Sequence, residues 1–194
     1  MNNAEAKSDP PRPPFWIRLS VTAGTLLQAA GLILGAWMMT VGANLQAVAV
    51  LRLALMLLGW LLIYICCHSL GHWLVGTLVG IRFRGYGVRG TDHPEELSPA
   101  LRFVLTRLPM FTAITDRDSM RKARPLPRAL MFAAGETSTI VAVFLTGLYV
   151  WRSGVPGGLI WFIVSVLMCI DGMIEPLRMP RGDFAKARRA LRAK

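Results

Sequence analysis

Acidic residues are scarce in this chain. Eleven Asp and Glu stand against 22 Lys and Arg in 194 residues, a formal net charge of +11. Cysteine is rarer still, at three, and there is no internal repeat period and no sign of a separate soluble domain. The N-terminal stretch lacks the basic start and short apolar core of a cleavable signal peptide. Residues 1–14 are instead polar and carry Pro10, Pro11, Pro13 and Pro14, which predicts a disordered tail. The three cysteines, Cys66, Cys67 and Cys169, all fall in apolar runs. On a helix Cys66 and Cys67 point about 100° apart, which argues against a bond between them and for small apolar core thiols. A thiolate ligand stays open for Cys67 and Cys169, which lie close to the polar cluster described below.

Apolar residues, by contrast, are abundant. The chain is 54% hydrophobic with mean hydropathy +0.46. A bilayer-spanning helix needs about 20 apolar residues, and four runs supply them: about 15–41, 48–80, 129–150 and 158–174. The second is longer than one crossing and must tilt or protrude. The expected fold is therefore all-α: a polytopic membrane protein of about four spans. Its domains are a tail at 1–14, a membrane domain at 15–175 with a connection at 81–128, and a basic tail at 176–194.

The basic excess might point to nucleic acid, but its distribution points to topology. The connection at 81–128 holds ten Arg and Lys, and the tail after Ile174 holds seven more. The link between spans one and two has no charge, and that between three and four has only Arg152. Basic residues mark the cytoplasmic side. Both termini and the long connection are therefore expected inside, as in a bacterial inner membrane protein, with membrane lipids rather than nucleic acid as neighbours. Arg18 is expected as a surface anchor.

Within the connection, residues 85–94 read as a loop or short hairpin. Leu97, Leu101, Val104, Leu105 and Leu108 recur at helical spacing, which predicts an amphipathic helix over 97–111. The tail from Asp183 reads as a basic helix with Phe184, Ala187 and Leu191 on one side, a solvated flank rather than a specific site. Arg181-Gly182-Asp183 matches an extracellular adhesion tripeptide, and its expected cytoplasmic position makes that match chance. The glycine pairs Gly31/Gly35 and Gly76/Gly80 are read as close-packing points between helices.

Ionisable groups inside spans are functional candidates by default. His68 and His72 stand four apart, so both rings leave one helix face, the spacing with which a helix offers two imidazoles to one metal ion. Glu136 lies eight residues into span three, about 12 Å deep, and Asp171 thirteen residues along span four, about 20 Å from its outer edge. Within a layer about 30 Å thick, all four fall in the inner half. Two His and one carboxylate, here Asp171, match a zinc site with a fourth position open. A metal-free hydrogen-bonded cluster is the competing reading. A bis-histidine haem is disfavoured, because one turn of helix cannot supply both axial ligands. Serine chemistry at Ser69 is also disfavoured, since adjacent side chains diverge on a helix.

Three segments resemble the site-2-protease-like intramembrane metalloproteases. His68-Ser69-Leu70-Gly71-His72 is similar to that family's HExxH helix. Ala133-Ala134-Gly135-Glu136-Thr137-Ser138-Thr139 resembles its glycine-proline segment ending in asparagine, and Asp171-Gly172 its last Asp-Gly. The resemblance spans about residues 57–179. It implies zinc held by His68, His72 and Asp171, and transmembrane protein substrates cut near the cytoplasmic side. Ser69 departs from the family at the catalytic glutamate, Glu136 stands where proline is usual, Thr139 stands where asparagine is usual, and the proline-rich run before the Asp-Gly is missing. A serine hydroxyl is too weak a base to replace that glutamate. The leading expectation is thus a pseudoprotease that binds transmembrane clients. The alternatives are an active metalloprotease with Glu136 as catalytic base, and an accessory subunit whose cluster only packs. Whether Glu175, near the inner surface, joins the cluster is left open.

Overall fold

A computed structural model describes residues 14–46, 48–91, 99–178 and 182–192, the side chains at 100, 101 and 175–178 excepted. Residues 1–13, most of the expected N-terminal tail, and the side chain of Glu175 lie outside the described residues. The chain is mostly helical. Three helices are long and apolar enough to cross a membrane: α1 (Val21–Asn44), α2 (Ala49–Leu78) and α5 (Pro125–Arg152). A fourth, α6 (Gly158–Arg178), has a shorter apolar stretch, Gly158–Ile174.

Local chemistry sets these boundaries. The Ser20 hydroxyl accepts from the Ala23 N–H (3.2 Å) and caps α1. At its other end Arg52, the one charge in an apolar run, donates to the carbonyls of Gly42 (3.2 Å) and Ala43 (2.7 Å). Those are carbonyls that the end of α1 leaves without helical partners. Pro125 and Pro127 open α5 rather than interrupt a helix, because the first turn needs no N–H donors.

Two expectations about the membrane-flanking segments need correction. The chain is not purely α-helical, because three strands form an antiparallel sheet, β1 (Ile17–Leu19), β2 (Phe83–Arg89) and β3 (Met110–Thr115), in the order β1-β2-β3. Ile17 pairs with Val88, and Arg89 with Met110. The first span accordingly begins at Val21, and Arg18 is a strand residue opposite Gly87. The amphipathic helix expected over 97–111 shrinks to α3 (Pro99–Leu105), because β2 recruits Met110–Thr115, a segment rich in β-formers. A short helix, α4 (Arg117–Lys122), follows. Its cap Asp116 accepts from the Ser119 N–H (3.0 Å) and from Arg84 Nε (2.7 Å), and both contacts hold its carboxyl below the usual carboxylate range.

Packing runs α1 on α2, α2 on α5, and α5 on α6. Gly35 and Gly59 let α1 and α2 touch through backbone, since a Cβ on Gly35 would lie 2.7 Å from the Gly59 carbonyl oxygen. Gly80 differs from its expected role: it takes φ 85° and ends α2. Large apolar side chains such as Leu26, Ile33, Trp37, Val50, Leu78 and Ile160 point outward, a belt that suits hydrocarbon rather than water. The last helix, α7 (Asp183–Arg192), is not a solvated flank. Ala185, Ala187 and Ala190 are buried, and the last two pack on Ala129 of α5.

Candidate metal centre

Two helices and the docked tail converge on one point. His68 and His72 leave one face of α2 with ring centroids 4.8 Å apart. His72 is buried because α5 passes directly over it. A Cβ on Gly135 would overlap the imidazole, and a Cβ on Gly71 would lie 2.5 Å from Ser138 Oγ, so both glycines are needed for this approach.

Each ring is oriented by a partner on α5. His72 Nδ1 lies 2.7 Å from the Met131 carbonyl oxygen, which can only accept, so Nδ1 carries the proton. His68 Nδ1 lies 3.0 Å from Thr139 Oγ1. That hydroxyl spends its proton on the Gly135 carbonyl (3.1 Å), so it accepts from His68. These bonds leave both Nε2 atoms as bare acceptors, in the tautomer that metal-binding histidines adopt.

The two Nε2 atoms face each other at 3.2 Å, and Asp183 Oδ2 lies 3.0 Å from each. Three lone pairs thus converge. One proton serves at most two of them, and two imidazolium rings at this distance would repel. One metal ion satisfies all three. Corners of a triangle this size lie roughly 1.8 Å from its centre, so a point about 1 Å above the plane is about 2 Å from each donor, as zinc requires. His68, His72 and Asp183 could hold a metal ion. Lys186 Nζ donates to Asp183 Oδ1 (2.7 Å), which leaves Oδ2 for the rings.

The structure therefore brings together His68 and His72 as expected, but with Asp183 in place of Asp171. Asp171 is exposed on α6 and lines the same cavity of about 770 Å³, as does Glu136, yet it is not among the three converging donors. Depth along a span does not fix the direction in which a side chain leaves its helix. The Nδ1 atoms of the two histidines have Thr139 and Met131 as partners, and Glu136 Oε1 lies against Gly172 of α6. Ser69 donates to Gln28 Oε1 on α1 (2.6 Å), and both residues are buried. The cysteines are free and buried, and none joins the three-donor group.

Sequence reasoning missed Asp183, Thr139 and Lys186. The available signal was that Asp183 is the sole acid after Glu175, in a tail of basic residues. Comparison with known families, curated proteins and solved structures finds no match to this chain.

Proposed function

We propose that this is an integral, multi-pass membrane protein in which His68, His72 and Asp183 hold one zinc ion, and that it binds transmembrane partners beside the ion rather than cleaving them rapidly. The observation that carries the reading is the set of three acceptor atoms 3.0–3.2 Å apart with no proton available to all of them. Two imidazoles and a carboxylate are the donors of zinc sites that keep a fourth position for water or a ligand. Bound there, zinc supplies Lewis-acid polarisation of that ligand. The likeness of His68-Ser69-Leu70-Gly71-His72 to the site-2-protease helix supports the same reading, with the third ligand moved from Asp171 to Asp183.

Slow or absent cleavage follows from Ser69. Its hydroxyl is tied to Gln28, and it puts no carboxylate beside the centre. Loss of a general base typically costs about 10² to 10⁴ in rate. One observation favours a second reading, an active intramembrane metalloprotease: Glu136 lines the same cavity and could act as base from α5.

Metal analysis of the purified protein tests the centre. We expect zinc in the wild type and in Asp171→Asn, and its loss in His72→Ala and Asp183→Asn. Equal trace metal in wild type and His72→Ala would discard the proposal. A model transmembrane substrate tests the chemistry: robust wild-type cleavage abolished by Glu136→Gln would install the second reading.

A further inference from the structure

Among the described residues that line the cavity of about 770 Å³, Lys186 is the one lysine or arginine. It follows Asp183 by three residues on α7, so helix geometry puts both side chains on one face. Its Nζ donates to Asp183 Oδ1 at 2.7 Å, while Asp183 Oδ2 lies 3.0 Å from each imidazole Nε2. The two oxygens of one carboxylate thus have separate tasks. A second element steadies the ammonium, because the Phe132 ring of α5 has its centroid 6.0 Å from Nζ. The side chains of Lys186 and Asp183 are 30% and 11% exposed, so solvent screens this pair far less than a surface one.

A carboxylate can meet a metal ion through one oxygen or through both. Through both, Asp183 and two imidazoles would supply four donors, and a further ligand would make the ion five-coordinate. Through one, they supply three donors and leave a tetrahedral position for water or another ligand. The charge-assisted bond from Lys186 competes with the ion for Oδ1. We propose that Lys186 is a positioning residue, which restricts Asp183 to one-oxygen ligation and keeps the bound ion four-coordinate with an exchangeable fourth ligand. This role rests on the metal reading proposed above, and it names what selects the ion. Two nitrogens, one oxygen and an open tetrahedral position suit zinc or cobalt(II) better than cations that require six oxygens.

Cobalt(II) loading of the detergent-solubilised full chain tests this, because four-coordinate cobalt absorbs visible light far more strongly than five- or six-coordinate cobalt. We expect strong absorption in the wild type and in Lys186→Arg, which keeps a cationic donor. Lys186→Met keeps an apolar stem without the donor, and its absorption per bound cobalt should fall several-fold. Arg188→Gln, an exposed change on the same helix, should match the wild type. Thermal melting of the metal-free protein checks folding, and Lys186→Leu carries the comparison if Lys186→Met does not fold.

Three outcomes overturn this role while the metal reading stands. One is wild-type absorption per bound cobalt in Lys186→Met, even with a lower metal affinity, since that marks a merely structural contribution. Another is a weak spectrum in the wild type itself. The third is a Lys186→Arg spectrum as weak as that of Lys186→Met. A wild type that binds neither cobalt nor zinc overturns the metal reading as well, and does so before any variant is compared.

Discussion

Ser69 bears on what a metal held by the proposed centre could do, and its neighbour Gln28 decides what Ser69 can become. The pair is buried between α1 and α2 at 2.6 Å, and Gln28 in turn donates to the Gly24 carbonyl (3.0 Å). Interhelical hydrogen bonds in membranes are worth only about 0.6 kcal/mol on average. We therefore expect Ser69→Ala to cost about 1 kcal/mol at most and to leave metal content unchanged. Ser69→Glu alone overfills a site already closed by Gln28, at about 1–3 kcal/mol. The double change Ser69→Glu/Gln28→Ala makes room for the carboxylate, and cleavage of a model transmembrane substrate should rise in it above the level of either single variant. No gain in the double variant would show that the missing glutamate is not what limits activity. The histidines were legible in the sequence because helix geometry makes a spacing of four a contact. Asp183 was not, because this carboxylate reaches the two imidazoles from a helix that follows the apolar runs.

At the scale of elements, α7 is the part whose role changed most. A helix of ten residues is marginal by itself in water. Here it is held by an alanine face against α5 and by Asp183 at its first turn. Docking and metal binding should therefore be coupled. Ala187→Glu drives a charge into the packed face and should weaken zinc affinity at least about tenfold, the loss typical when support for a ligand is removed. Arg188→Gln, on the exposed side, should not. Competition with a chelator of known affinity measures both, and an unchanged affinity in Ala187→Glu would uncouple docking from the metal. The long helices were readable from apolar run length alone. The strands were not. β2 contains Gly85 and Gly87, which blur its alternation, and its partners are distant in sequence, with Ile17 opposite Val88. Such pairings leave little local trace.

The sheet also constrains the whole molecule. β1 runs into α1 through Ser20, β2 follows α2, and β3 precedes α4 and α5. The start of α1, the end of α2 and the start of α5 therefore share one side. Asp183 must reach His68 and His72 from the end of α6, which returns the chain to that same side. The opposite side has only the short links after Asn44 and after Arg152, both without charge beyond Arg152 itself. The apolar part of α6, Gly158–Ile174, is about 25 Å long at about 1.5 Å per residue. The shortfall from a layer of about 30 Å costs fractions of a kcal/mol per Å, small against leaving an apolar helix in water. With most basic residues on the sheet side, the positive-inside rule predicts a cytoplasmic position for that side. A reporter active only outside the cytoplasm should therefore be active when fused after Val155, and silent when fused after Asp118 or Lys194. Activity at Lys194 together with Val155 would mean that α6 does not return. Asp183 would then lie across the membrane from the two imidazoles, and the proposed centre could not form.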